Sequence, residues 1–396
     1  MAILVQRGTK TLSNGSASMT TVRGTDAGFD TTVTVARTRL RVTARTAGTD
    51  INVYTNYSVG WYFTDGDTIT VLRSGTTSDV IIEWELTEFD SGQLVAQPVV
   101  LTFAATTTAT AAISAASIGG GRWIESNGLV GAQEAAQRST ANVRFNSTTE
   151  VGATRGNATG TVTLYATVYE HVAATVQTVE PTLAPHTETD HDETITSVDT
   201  TKTLVVGTAR SAGSVGLNDG SWQARLTSAT NLRWSRNTGT SATFTITCFV
   251  VSFSDDTTVA ASTITHADGT GTVNTTITAV TLANSSVMLS GMLVPSIGLT
   301  ASASAFSRAL ATAALTSTTN IQTIKGTITT ALTQYAQVIQ WGAAGPATGF
   351  VLTPESGTTN GSGVLTTTAT SDDALTANGA VRLITATVNG TVAARL

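Results

Sequence analysis

An eleven-residue pattern recurs four times along this chain, and the recurrence limits what it can fold into. The copies are FTDGDTITVLR (63–73), FNSTTEVGATR (145–155), LTSATNLRWSR (226–236) and LTSTTNIQTIK (315–325). Each opens on a large apolar residue: Phe63, Phe145, Leu226 or Leu315. Each places Ile69, Val151, Leu232 or Ile321 six residues on, and ends on a cation: Arg73, Arg155, Arg236 or Lys325. The cations lie 82, 81 and 89 residues apart. A unit of that size buries a modest core of its own, unlike a solenoid repeat of roughly 30 residues.

A second element follows each copy: VIIEWELTEF, VTLYATVYEH, FTITCFVVSF and LTQYAQVIQW, closing on Phe89, His171, Phe253 and Trp341. Its odd positions are Val80, Ile82, Trp84, Leu86; Val162, Leu164, Ala166, Val168; Phe244, Ile246, Cys248, Val250; and Leu332, Gln334, Ala336, Val338. All but Gln334 are apolar, and the residues between them are mixed, which predicts a half-buried strand. The intervening Ser74-Gly75, Gly156-Asn157, Asn237-Thr238-Gly239 and Gly326 predict a turn, so that the motif and this strand form a hairpin. An upstream strand is expected at ISAAS (113–117), ITSVD (195–199) and ITAVT (277–281), with TVTVA (32–36) as its counterpart in the first copy.

Composition agrees with strands. Thr makes up about a fifth of the 396 residues and charged residues only 12%, so β-branched residues outnumber strong helix formers. The expected fold is all-β: four tandem antiparallel β-sandwich domains of 80–90 residues, over 1–95, 96–176, 177–257 and 258–344. The segment 345–396 departs from the pattern. It resembles the closing half of bacterial immunoglobulin-like domains and reads as a small C-terminal β segment. The joints are short, so neighbouring sandwiches should touch.

A net charge of -6 and a pI near 5.2 argue against nucleic acid as a partner. No apolar stretch is long enough for membrane insertion as a helix. The single Cys248 sits at an inward strand position and reads as a small buried hydrophobe, not a nucleophile. MAILVQRGTK lacks the features of a leader, so synthesis and assembly in a cytoplasm are expected.

Few segments suggest chemistry. NVYTNYSVGWYF (52–63) gathers Tyr54, Tyr57, Trp61 and Tyr62 beside Asn and Ser. Such rings suit a ligand or host surface, a subunit contact, or plain core packing. HTETDHDE (186–193) holds His186, Asp190, His191 and Asp192, types that ligate metals, but the stretch reads first as a solvated loop or exposed strand. The four cations would form a ligand-binding ladder or, more simply, end each strand and pair with acids such as Glu88 or Glu170. No triad, zinc motif or phosphate loop is recognisable. The expectation is therefore no enzyme, no cofactor, no metal and no catalytic residue.

The third copy carries the full pattern: ITSVDTTKTLVV (195–206), ARLTSATNLRWSR (224–236) and FVVSF (249–253). This resembles the repeats of tailed-bacteriophage virion structural proteins, of the tail, fibre, adaptor or capsid-decoration type. The resemblance implies a non-enzymatic structural part of a phage particle, most of all a tail or fibre protein of the host-attachment apparatus. Its partners would be copies of itself, other virion proteins and a host surface glycan or protein; its location would be the virion. Capsid decoration or a head fibre is the alternative, and a cellular adhesin or S-layer-like protein the competitor. Sandwiches strung along a line would form a rod or arm.

The Cys248→Asp chain is expected to lose several kcal/mol as the third repeat unfolds, because a carboxylate there has no partner. Wild-type stability in urea would contradict the strand phase.

Overall fold

The computed structural model describes residues 3–47, 58–131, 140–183, 189–212, 221–236, 243–293, 310–326 and 331–342, and the backbone of strands 384–388 and 391–395. The described residues are all-β apart from single 3-10 turns. They fall into two compact units, Met1–Gly345 and Pro346–Leu396.

The larger unit repeats one six-strand plan four times. Repeat 1 has β1 (Leu4–Leu12), β2 (Ser18–Val22), β3 (Thr38–Thr46), β4 (Val59–Asp65), β5 (Thr68–Arg73) and β6 (Val80–Glu88). Repeat 2 has β7 (Leu94–Ala104), β8 (Thr108–Ala112), β9 (Gly121–Val130), β10 (Ala141–Ser147), β11 (Glu150–Arg155) and β12 (Thr161–His171). In repeat 3 the first strand is split into β13 (Ala174–Val179) and β14 (Thr182–Leu183) around Pro181. It continues with β15 (Asp190–Thr194), β16 (Thr203–Ser211), β17 (Trp222–Ser228), β18 (Asn231–Arg236) and β19 (Phe244–Phe253). Repeat 4 has β20 (Thr258–His266), β21 (Thr272–Thr276), β22 (Ser285–Leu293), β23 (Ala311–Ser317), β24 (Asn320–Lys325) and β25 (Leu332–Gln340). In every repeat the sixth strand lies between the first and third, and the fifth between the second and fourth. These are the two antiparallel sheets of a sandwich. β7 begins at Leu94 and β13 at Ala174, so two joints lie slightly earlier than residues 96 and 177. In the smaller unit, β26 (Ile384–Val388) pairs antiparallel with β27 (Thr391–Arg395).

The eleven-residue motif is itself a hairpin. Phe63 faces Ile69, Phe145 faces Val151, Leu226 faces Leu232 and Leu315 faces Ile321, each with a bulge in the next two residues. The expected hairpin through Ser74-Gly75 does not form, because the fifth and sixth strands belong to opposite sheets. The upstream segments are not strands either. They are extended connectors between sheets, tied at Ile113, Ile195 and Ile277, whose N–H groups donate to Thr149, Thr230 and Thr319 carbonyls beside each hairpin turn.

The motif's cation closes the end of the sandwich. Arg73 donates to the Ser13, Ser16 and Ser78 carbonyls, and Arg155 to those of Thr106, Ala158, Thr159 and Gly160. Lys325 donates to the Ala267 carbonyl. All four cations are buried. Among the described residues no ion pair joins these cations to Glu88 or Glu170. Those carboxylates accept backbone N–H groups of the upstream connectors, Glu88 from Thr34 and Glu170 from Ser117, Ile118 and Gly120.

All sixteen inward residues of the sixth strands are buried, Gln334 included. Their outward neighbours Thr87, Tyr169, Val251 and Ile339 are buried too, so the strand is not half-buried. The reason is that the repeats close into a ring instead of a line. The fourth strand of each repeat meets the third strand of the next: β4 with β9, β10 with β16, β17 with β22, and β23 with β3. The terminal aromatics of the sixth strands meet on the axis. Ring centroids are 5.6 Å apart for Phe89–His171, 5.5 Å for His171–Phe253, 5.6 Å for Phe253–Trp341 and 4.9 Å for Trp341–Phe89. Interplanar angles of 74–89° make each contact edge-to-face, a geometry worth about 0.5–1.5 kcal/mol per pair beyond area burial.

The ring is four-fold in plan and two-fold in detail. Gly60 pairs with Gly128, and Gln223 with Gly291, which fuses sheets into two six-stranded ones. At the other two junctions a threonine stands between the backbones: Val143 N–H donates to Thr208 Oγ1 (2.9 Å) and Ala313 N–H to Thr43 Oγ1 (3.4 Å). The difference lies in one residue. β9 and β22 carry two residues, Asn127-Gly128 and Ser290-Gly291, opposite Tyr165 and Tyr335. β3 and β16 pair one to one there, Thr43 with Glu83 and Thr208 with Thr247. The bulge glycines have φ of 90° and 99°, a region other residues rarely adopt. A Cβ on Gly128 would lie 1.9 Å from the Val59 carbonyl oxygen.

Two outcomes follow. Gly128→Ala is expected to cost about 2–4 kcal/mol in equilibrium unfolding, from strain plus clash. Gly92→Ala, also at positive φ but with open space around it, is expected to cost about 1 kcal/mol. Equal costs would mean that the close approach does not hold the six-stranded sheet. Burial holds the His171 ring below its ordinary pKa, against an opposing pull from Asp255, and its Nδ1 accepts from the Ala173 N–H (3.2 Å). The folded state therefore binds this proton less readily than the unfolded one. The stability contribution is complete above about pH 6.5 and falls as pH drops from there toward the folded pKa. His171→Phe should flatten that slope in urea titrations at stepped pH, leaving the share of His266, which burial and Lys325 also hold low.

Candidate functional site

The ring geometry creates grooves at three of the junctions, walled by the first and sixth strands of one repeat and the third and fourth of its predecessor. Their linings differ. Between repeats 1 and 2 the groove has a volume of about 300 Å³ and aromatic walls, Trp61, Tyr62, Phe63, Tyr165 and Tyr169, with Asn127 at its polar end. Between repeats 3 and 4 it is about 730 Å³ and rich in Thr, with Tyr335 and Gln337. Between repeats 4 and 1 it is about 160 Å³ and charged, with Arg7, Arg41, Glu83 and Glu85. At the remaining junction Phe145 packs edge-to-face on Phe249 at 5.8 Å.

Two of the four expected contact residues lie in the aromatic groove. Trp61 and Tyr62 are on β4, the fourth strand of the common plan and not an insertion. Tyr54 and Tyr57 lie outside the described residues. Alternation along β4 sends Trp61 and Phe63 toward the first repeat's core, where both pack at its margin, and Tyr62 outward. Tyr62 stacks on Tyr165 at 5.3 Å with an interplanar angle of 9°. Burial and then Tyr62 raise the Tyr165 hydroxyl pKa, so it remains a neutral donor. Asn127 Nδ2 donates to Thr167 Oγ1 (2.8 Å), and the buried Trp61 indole N–H has no hydrogen-bond partner among the described residues. The groove thus offers ring faces, aliphatic walls and hydroxyl or amide edges. That combination receives a flat or aliphatic group carrying a few hydroxyls, and holds no nucleophile beside a base.

Tyr165 was not singled out from sequence, although its signal was present. In VTLYATVYEH it occupies the phase opposite to the core residues, as does Tyr169. Two aromatics on the outward phase mark a face that meets something.

The acidic stretch becomes an edge strand. On β15, Asp192 bridges Arg233 (2.5 Å) and accepts from Asn231, while Ser235 donates to Asp190 (2.5 Å). Arg233 and Asn231 hold the Asp192 pKa well below the usual carboxylate range. His191 Nε2 meets Glu193 Oε1 at 3.0 Å. His186 lies outside the described residues. Among the described residues no three His, Cys, Asp or Glu side chains are grouped to hold a metal ion. Cys248 is buried and its thiol pKa is pushed up by desolvation, which keeps it un-ionised. No helix among the described residues is long and apolar enough to cross a membrane. Neither the protein-family models nor the curated proteins contain a match to this chain.

Proposed function

We propose that this chain is a non-enzymatic structural component of a tailed-phage particle, working in the host-attachment apparatus beside copies of itself and other virion proteins. The supporting observation is the ring axis plugged at one end. Phe89, His171, Phe253 and Trp341 close it with their own side chains, so no open channel runs through the ring at that level. The repeated plan of four sandwiches serves packing, and the junctions supply the surface variety. The aromatic groove is the part suited to a host glycan or protein side chain, because rigid rings bury area with little entropy loss. Capsid decoration is the second reading. It is favoured by the closure of Met1–Gly345 on itself, since a block seats on a shell more readily than it extends a fibre.

Mass spectrometry of purified virions against host envelope fractions tests the placement, and immunogold labelling separates tail from capsid. Absence from virions overturns both phage readings. Tyr62→Ala is expected to lower adsorption on the order of tenfold while particles assemble at normal yield. Unchanged adsorption, or failed assembly, would remove the groove from host recognition.

A further inference from the structure

We propose that the axial cavity beneath the aromatic cluster is a binding site for a small oxyanion, carboxylate or phosphate, held by Arg41. The cavity measures about 190 Å³ and takes lining residues from all four repeats. Strand pairing places Arg41, Glu125, Val206 and Met288 at equivalent positions around the axis: they lie opposite Glu85, Thr167, Phe249 and Gln337, each four residues before the terminal aromatic of its sixth strand.

The charges around this cavity do not balance. Arg39 is buried and pairs with Glu125 (Nε–Oε1 2.8 Å), and it also lies over the Trp341 ring at 5.5 Å. Glu125 Oε1 accepts in addition from the Trp123 indole (3.0 Å). Arg7 pairs with Glu85 Oε2 (2.7 Å) and donates to the Leu282 and Ser285 carbonyls. Glu83 accepts from Thr312 Oγ1 (2.9 Å) and faces Arg45. Arg41 forms no ion pair and no side-chain hydrogen bond among the described residues. Three guanidiniums, Arg7, Arg39 and Arg41, thus stand against two carboxylates, Glu85 and Glu125. Arg41 is half-buried in the cavity wall, and a guanidinium partly withdrawn from water with no hydrogen-bonded counter-ion carries a desolvation cost. Burial and then Arg39 pull the Arg41 pKa down to about 10, against a weaker opposing pull from Glu85 and Glu125, and an anion would relieve the first two. A guanidinium fork matches the two oxygens of a carboxylate or phosphate. Asn127, whose Nδ2 serves Thr167, and Ser126 add polar groups to the same wall.

Thermal unfolding of the full chain in sodium phosphate or sodium acetate, against chloride at matched ionic strength, is the test. Wild type is expected to gain a saturable rise of about 3–5 °C in one or both. A rise in phosphate alone assigns phosphoryl chemistry, and a rise in both assigns any oxyanion. Arg41→Met should lose the rise and, without anion, unfold at or above the wild-type temperature, because it removes an unpaired charge. Arg41→Lys should keep a smaller rise, and decides the matter if the methionine variant does not fold. Indifference of wild type to both anions overturns the site. So does a rise that persists in Arg41→Met, or a folded Arg41→Met that melts several degrees lower, which would mean that Arg41 is paired with Glu85 in solution.

Discussion

Edge-to-face contact among Phe89, His171, Phe253 and Trp341 is where four separate sandwiches become one body. Each ring lies at or one residue past the end of a sixth strand, which is flanked on both sides by the first and third strands of its repeat, so its position is set by two ladders. Bringing the four together turns the outward face of each sixth strand toward its neighbours. That explains why Tyr169 and Ile339 are as buried as Leu86 or Val168. A chain with 12% charged residues can bury both faces of such strands with few ionic groups left to satisfy. The same contact makes the interior sensitive to His171. A neutral imidazole fits the circuit, whereas an imidazolium would be desolvated with only Asp255 to offset it.

Closing a ring from four nearly equal parts leaves the backbone edges to be satisfied at each junction. Two solutions alternate. Where a bulge glycine lets the fourth strand of the preceding repeat approach, main chain pairs with main chain. Where the bulge is missing, a threonine hydroxyl accepts the N–H instead. A buried N–H left without either partner would cost about 1–3 kcal/mol, comparable to an entire edge-to-face contact, so neither junction type can be left unmade. The Val205 backbone shows a third device: the Gln337 amide both donates to its carbonyl and accepts from its N–H (each 2.8 Å), standing in for a rung of a ladder.

The local elements were legible because they rest on local signals. Period-two alternation placed Val80, Val162, Phe244 and Leu332 at the starts of sixth strands, and the all-β composition left no competing helix. Gln334, the one polar residue in the core phase, is buried with the rest. What failed was partner choice. The turn at Ser74-Gly75 is real as a chain reversal, but a reversal between sheets and a hairpin within one leave the same residues in sequence. The Ile-Thr-x-Val connectors alternate like strands because they cross between the layers with alternate residues packed, yet they have no ladder. Ring closure was invisible for a deeper reason. It depends on outward-phase residues such as Arg39, Glu125 and Tyr165, whose partners lie a repeat or more away, and polar or mixed residues at those positions look like ordinary solvated faces.

That division has a physical cause that bears on how the repeats find their order. Inward positions are interchangeable, since any sandwich core accepts apolar side chains of suitable volume, and the four copies keep them alike. Junction positions are not interchangeable. The Tyr62–Tyr165 stack, the Phe145–Phe249 pair, the Gln337–Val205 amide rung and the Thr312–Glu83 hydrogen bond each occupy one junction only. Were the linings the same, repeat 1 could dock on repeat 3 of its own chain, or on repeat 2 of another, at equal free energy. Placing Glu83 against Phe145, or Gln337 against Tyr62, would bury an unpaired polar group and cost several kcal/mol. The backbone plan therefore permits a ring, whereas the unlike side chains at its four seams select a single circular order from the arrangements that plan allows.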